Sequence, residues 1–240
     1  MAANVLITGA SRGIGYAIAE EMAKEGYNLN LICRQKTGLL AEYAADLTER
    51  YGIKVQAYQA DISSEKEVQR LCRILPKIDI CINNAGISYT GLLQDMSSAD
   101  WHKVLDTNLT GIFYICRELI PEMIKNQSGR ILNISSVWGE HGASMEVAYS
   151  ASKGGVNAFT KALAKELAPS HIPVNALSCG YIDTEMNSEY TEEDVAAICE
   201  EIPCGRIGTP SEVAQAALKI LQMPEYMTGQ IITIDGGWQV

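Results

Sequence analysis

Tyr149 and Lys153 stand four residues apart in Tyr149-Ser150-Ala151-Ser152-Lys153, inside a stretch whose apolar spacing predicts a helix. Residues at i and i+4 share a helix face, so a phenol and an ammonium can serve one site. A phenol with a pKa of about 10 is protonated at neutral pH, and a cation within a few ångströms stabilises its phenolate. The pair can therefore pass a proton near neutrality. A second grouping, Thr8-Gly9-Ala10-Ser11-Arg12-Gly13-Ile14-Gly15, lies between a strand-like run and a helical one. Glycines there remove side chains where the chain turns sharply and where backbone N–H groups must approach a phosphate. The helix N-terminus adds a field that favours an anion. The spacing is Gly-x-x-x-Gly-x-Gly, which differs from the Gly-x-Gly-x-x-Gly dinucleotide fingerprint. Gly9 to Gly13 also fits the Gly-x-Ser-x-Gly nucleophile elbow of hydrolases, but that elbow needs a histidine base and follows several strands, whereas Ser11 follows the first.

Short β-branched or apolar runs alternate with longer stretches of helical period, and these elements must position both groupings. The strand candidates are Asn4–Thr8, Asn28–Cys33, Lys54–Gln59, Ile78–Asn83, Arg130–Ser135, Pro173–Ser178 and Gln230–Ile234. Helices are predicted over Ile14–Gly26, Gly38–Tyr51, Glu65–Leu75, Trp101–Asn126, Tyr149–Ala168 and Ser211–Gln222. Such alternation predicts βαβ units, hence an α/β doubly wound fold of Rossmann type with a parallel seven-stranded sheet. Ligands of such a sheet bind beyond the carboxyl ends of its strands.

The 240 residues suit one domain, with no linker or repeat to divide them. A formal charge of -10 disfavours nucleic acid and anionic lipid as partners. A strand-like run follows Met1 almost at once, leaving no room for a secretory leader, and no apolar run is long enough to span a bilayer. The cytoplasm is the expected compartment. Seven cysteines without a Cys-x-x-Cys pair predict reduced thiols, and the scattered His102, His141 and His171 suggest no metal site.

With the glycine loop, Asn83-Asn84-Ala85-Gly86, Asn108, Ser135-Ser136 and Tyr149…Lys153, all in order and mostly at strand ends, the chain resembles the short-chain dehydrogenase/reductase superfamily. Within it, the similarity is greatest to 3-oxoacyl-acyl-carrier-protein reductases. Gly129-Arg130-Ile131, Pro203-Cys204-Gly205-Arg206-Ile207-Gly208 and the ending Thr228-Gly229-Gln230…Asp235-Gly236-Gly237 support this. The resemblance implies that Tyr149 is the general acid in reduction, giving its proton to a carbonyl oxygen as hydride arrives at carbon. It implies that Lys153 holds the nicotinamide ribose hydroxyls and lowers the Tyr149 pKa, and that Ser136, rather than adjacent Ser135, stabilises the substrate oxygen. Asn108 would bind a water linking Lys153 to solvent. Gly9, Ala10, Ser11, Arg12, Gly13, Ile14 and Gly15 would cradle the cofactor phosphates. Asn84, Ala85 and Gly86 would line the adenosine ribose region, with a structural role for Asn84 in the strand-to-loop turn also open. Asp61 would accept from the adenine amino group, with Ile62 against the ring, although a tight-turn role suits Asp61 as well. Ile182 and Thr184 would meet the nicotinamide carboxamide.

Cys33-Arg34 stands where NAD-preferring relatives usually carry an acidic residue. A guanidinium can pair with a 2′-phosphate, and Arg12 can approach the same group, so NADP(H) is the expected cofactor. The family's usual Pro-Gly after the sixth strand is Cys179-Gly180 here, which frees an N–H and loosens φ at position 179. The polar stretch Glu185–Pro203 reads as a mobile lid over the substrate. The expected substrate is a 3-oxoacyl thioester, with acyl carrier protein as a possible partner. Where carrier-protein reductases often present arginines, however, this chain has Gln127 and Ser170, with Lys125, Arg130 and Lys161 nearby. Another ketone, such as a hydroxysteroid or small keto compound, is the alternative, and a non-catalytic NADP(H) sensor the remote one. The resemblance implies a homotetramer. Ile112, Phe113, Ile115, Val156, Phe159 and Leu163 could form its surfaces or simply the core.

Overall fold

Runs such as Val5-Leu6-Ile7 and Leu29–Ile32 are nearly continuous in apolar or buried side chains, which demands a sheet covered on both faces. The computed structural model describes residues 2–187 and 190–239 and builds that sheet from seven strands. They are β1 (Asn4–Thr8), β2 (Asn28–Cys33), β3 (Val55–Gln59), β4 (Ile80–Asn83), β5 (Arg130–Ser136), β6 (Val174–Cys179) and β7 (Ile231–Ile234). Their order is β3-β2-β1-β4-β5-β6-β7, and every neighbouring pair is parallel. The fold is the doubly wound Rossmann type. Helices α1 (Gly13–Lys24), α2 (Thr37–Tyr51) and α8 (Pro210–Gln222) cover one face. Helices α3 (Glu65–Cys72), α5 (Gly111–Asn126) and α6 (Val147–Leu167) cover the other, while α4 (Ser98–Leu105) precedes α5 and α7 (Glu192–Glu201) precedes α8.

The two faces follow from the alternation of side chains along each strand. Val5 and Ile7 of β1 enter a cluster with Ile18, Met22, Leu40, Leu47, Val213 and Leu218. Leu6 turns the other way, towards Val68, Ile112, Ile115, Val156 and Leu163. Four of the six residues considered for a subunit interface, namely Ile112, Ile115, Val156 and Leu163, are therefore core. Phe159 packs against that core, and Phe113 is exposed beneath Arg117, whose guanidinium carbon lies 5.0 Å from the ring centroid.

Polar side chains key α6 to the sheet. Asn83 Nδ2 donates to Asn133 Oδ1 at 2.9 Å, Asn133 Nδ2 donates to Thr160 Oγ1 at 2.9 Å, and Ser135 Oγ donates to Asn157 Oδ1 at 2.6 Å. All are buried, where an unpaired polar group would be costly.

Three departures from the sequence expectations have physical causes. The single helix Trp101–Asn126 is interrupted by a π turn at Asp106–Thr110, where the Gly111 N–H bonds to the Asp106 carbonyl five residues back. Strand β6 runs through Cys179, whose register partners are Ser136 on one side and Ile234 on the other, so the position the sequence placed in a loop is the last residue of a strand. The stretch Glu185–Pro203 contains a 3-10 turn (Glu185–Asn187) and α7, the latter started by a reciprocal capping box between Thr191 and Asp194. Residues 188 and 189 of that stretch lie outside the described residues.

Candidate active site

Strands β1 and β4 are neighbours, with β2 beyond one and β5 beyond the other, so the connections leave in opposite directions. A crevice must open between them at the carboxyl ends of the strands. A cleft of about 1030 Å³ occupies that place. It is lined at one end by Gly9, Ser11, Arg12, Gly13, Ile14, Arg34, Asp61 and Ile62, and deeper by Asn84, Ala85, Gly86, Ser136, Tyr149, Lys153, Ile182 and Thr184. Ala10, Gly15 and Asn108 are buried behind the wall.

The glycine loop is shaped by its contacts with the turn after β4. Asn84 Nδ2 donates to the Thr8 and Gly9 carbonyls at 3.0 and 3.1 Å, while Thr8 Oγ1 accepts from the N–H groups of Asn84 and Ala85, both at 3.0 Å. A Cβ on Gly9 would lie 2.8 Å from Ala85 Cα, and one on Gly15 would strike the Gly9 carbonyl oxygen and Asn84 Nδ2. Gly9 also holds φ at +67°, where side chains are disfavoured. The structural role left open for Asn84 is thus present. Ala10 gives its N–H to the Ile32 carbonyl at 3.1 Å. The first turn of α1 leaves backbone N–H groups facing the cleft end, the arrangement that suits a phosphate.

At the far end the chemistry-bearing groups converge. Tyr149 and Ser136 face the same end of the cleft, close enough for the Ser136 hydroxyl to favour the Tyr149 phenolate. Lys153, buried, donates from Nζ to the Ile134 carbonyl at 2.8 Å, with Nζ 5.6 Å from the centre of the Tyr149 ring. Ser135 is directed to Asn157 on α6, so the two adjacent serines are separated by the alternation of β5. Asn108, on the π turn, accepts at Oδ1 from the Ile87 N–H at 2.8 Å and donates from Nδ2 to the Ile87 carbonyl and to Ser152 Oγ. A Cβ on Gly86 would lie 3.4 Å from Asn108 Oδ1 and 3.6 Å from Lys153 Nζ, so the glycine leaves one small space between these two groups.

Around the end of the cleft near β2 stand three cations. Arg34 approaches Asp61 at 3.8 Å, and Arg12 and Lys36 both meet Glu185. Lys36 and Glu185 were not anticipated from sequence; the signal for Lys36 was a second cation two residues after Arg34. Asp61 accepts from the Ser63 N–H at 3.0 Å and from Ser63 Oγ at 2.6 Å, the tight-turn role considered above. Ile62 is buried against Gly111, and Thr184 rests beside Gly13. Trp138, Glu146, Tyr181, Tyr190, Glu201 and Trp238 line the remaining wall, also unanticipated.

The family model for short chain dehydrogenase matches residues 3–195. The chain belongs to that family. It is 42% identical over 235 residues to the uncharacterized oxidoreductase YmfI of Bacillus subtilis (strain 168), covering 97% of each chain. It is 40% identical over 238 residues to the 3-oxoacyl-acyl-carrier-protein reductase FabG of Aquifex aeolicus (strain VF5), covering 97% of this chain and 95% of the relative. A crystal structure of a 3-oxoacyl-acyl-carrier-protein reductase with bound NAD, from Brucella melitensis, superposes with a TM-score of 0.92 at 33% identity, over 99% of this chain and 91% of that one. This short-chain dehydrogenase is therefore an oxidoreductase built for a nicotinamide cofactor, and its residues fit one: a glycine cradle, a helix terminus and cations at one end of the cleft, with Ser136, Tyr149 and Lys153 at the other.

Burial controls the titration of those groups in this short-chain dehydrogenase. It raises the Tyr149 phenol, against the opposing effect of the Ser136 hydroxyl, and it lowers Lys153 to about 8. The family resemblance implies that Lys153 lowers the phenol. Here burial raises the phenol, and the Lys153 ammonium donates to the Ile134 carbonyl. A consequence is measurable. Between about pH 8 and 10.5 the unfolded chain holds a proton on Lys153 that the folded chain has released, so this residue makes stability rise with pH through that window. The buried thiols of Cys81, Cys116 and Cys179, all raised by burial, pull the opposite way once unfolded thiols titrate. Urea denaturation at pH 7.5 and 9.5 is therefore expected to show wild type gaining roughly 1–2 kcal/mol relative to Lys153→Met. Equal pH responses of the two proteins would contradict the assignment.

Proposed function

We propose that this short-chain dehydrogenase reduces a ketone to a secondary alcohol with NADPH, and that the ketone is a 3-oxoacyl thioester. The observation that carries the proposal is one continuous cleft running from Arg12, Arg34 and Lys36 to Ser136, Tyr149 and Lys153. Three cations suit a 2′-phosphate far better than a bare ribose hydroxyl. The 40% identity to a 3-oxoacyl-acyl-carrier-protein reductase supports the thioester.

When bound, the nicotinamide supplies hydride to the carbonyl carbon. Tyr149 Oη gives its proton to the carbonyl oxygen, and Ser136 Oγ holds that oxygen as charge develops on it. A cationic Lys153 then offsets the phenolate left on Tyr149 and turns its remaining N–H groups to the ribose hydroxyls. The space above Gly86, bordered by Asn108 Oδ1 and Lys153 Nζ, is the place for a water that returns the proton. Glycine at 86 keeps it open.

A second reading draws support from the substrate wall. Glu146 and Glu201 stand among Trp138, Tyr181, Tyr190 and Trp238, and Lys153 is the only cation among the described residues of that end. Such a wall suits an uncharged ketone with no carrier protein at least as well. Oxidation of NADPH and NADH with acetoacetyl thioesters and cyclic ketones separates the readings. Thioester turnover with NADPH preferred is the expected result. Turnover of cyclic ketones alone would replace the thioester, and tight NADPH binding without any turnover would leave a sensor.

A further inference from the structure

We propose that Glu185 is a built-in competitor for the cofactor's 2′-phosphate, holding its segment against the ribose end of the cleft until that phosphate displaces it. The inference rests on the NADPH reading above and adds to it a residue that sets how strongly the 2′-phosphate is felt.

The geometry is specific. A single oxygen, Glu185 Oε2, accepts from Arg12 Nη1 at 2.6 Å and from Lys36 Nζ at 3.0 Å. Arg12 belongs to the glycine loop and Lys36 to the turn after β2, and they lie 173 and 149 residues from Glu185 in the chain. Two cations brought from separate elements thus converge on one carboxylate, and all three residues line the cleft. Hydrogen bonds from Lys36 and then Arg12 hold the Glu185 carboxyl below its ordinary range, so it is ionised at neutral pH. A phosphate monoester is the same kind of ligand with more charge and more acceptor oxygens, and the N–H groups that bond Glu185 cannot serve both.

The contact is cheap to break, since all three side chains are about half exposed and such pairs are weak. It is also well placed to matter. Glu185 begins the 3-10 turn Glu185–Asn187, directly after Thr184, which rests beside Gly13. A cofactor lacking the 2′-phosphate has nothing with which to displace it.

The test uses adenosine 2′,5′-bisphosphate and AMP, which share the adenosine and the 5′-phosphate and differ only at the 2′ position. Their dissociation constants are measured by calorimetry on the whole protein. Glu185→Gln is expected to tighten the bisphosphate about three- to tenfold while AMP changes less than about twofold. Glu185→Asp keeps the charge but draws it back by one methylene, and it is expected to follow Glu185→Gln. Wild-type affinity for the bisphosphate in Glu185→Gln overturns the inference. So does equal tightening of both ligands, or a Glu185→Asp protein that binds like wild type, since either result means a diffuse field with no direct competition. If wild type itself binds the two ligands equally, the NADPH reading fails first, and the two failures are thereby told apart.

Discussion

Tyr149→Phe is expected to lower kcat by a factor of about 10² to 10⁴, the usual worth of a positioned general acid. The substitution removes one oxygen and leaves a ring of nearly the same shape on α6, with the Lys153 ammonium still above it. Cofactor affinity should therefore change by less than about twofold, because Lys153 is left in place and the cations and glycine loop lie at the other end of the cleft. Deleting the hydroxyl leaves Ser136 with its backbone bond, accepting from the Trp138 N–H at 3.2 Å. The loss should thus appear in turnover and not in folding. Steady-state kinetics, together with fluorescence titration of NADPH, make the measurement. A Tyr149→Phe variant turning over at the wild-type rate would remove Tyr149 from the proton-donor role.

Arg34→Asp should shift the ratio of kcat/KM for NADPH over NADH towards NADH by roughly 10² to 10³. A charge-assisted hydrogen bond is worth about 1.5–3 kcal/mol, or roughly ten- to a hundredfold, and the new carboxylate repels the 2′-phosphate while accepting from a 2′-hydroxyl. Arg34 is well suited to the exchange. Its ion pair with Asp61 spans 3.8 Å and is loose, so the guanidinium can turn to a phosphate at little cost. Asp61 keeps its Ser63 bonds without it, so the turn after β3 survives the substitution. Arg12 and Lys36 remain, which is why the change should stop short of complete inversion. An unaltered ratio would sink the NADPH assignment.

The strands were legible because β-branched runs bounded by polar residues can do little else, and their ends shifted only by a residue or two, as at β4, which begins at Ile80 and not Ile78. The interruption between α4 and α5 was not legible: a π turn keeps the helical direction and leaves the apolar pattern of Trp101–Asn126 almost intact. Helix α7 was missed for a different reason. None of its described side chains is buried, so it carries no stripe to read, although Thr191-Glu192-Glu193-Asp194 announced its start. At the site, residues gathered at strand ends could be named in advance, since the topology alone brings them together. Glu185 could not, for no local pattern tells a carboxylate that its partners lie more than a hundred residues away. Nor could the titration of Lys153, because proximity to Tyr149 was visible in sequence and the depth of burial was not.

The hydrogen bonds that join α6 to β5 have a bearing on which way Tyr149 faces. A helix held only by Val156, Leu163 and their apolar neighbours could slide by one residue at modest cost, since such side chains accept many partners. Each residue of slip turns an α-helix by about 100°, which would swing Tyr149 away from Ser136 and bring Ser150 or Ala148 round instead. Asn133 to Thr160 and Ser135 to Asn157 oppose such a slip, because it would break two buried bonds and leave the Asn133 amide donor and the Asn157 carbonyl without these partners in the core. These bonds act as an indexing pin: they select the one rotation of a long helix in which its phenol meets the strand-end serine.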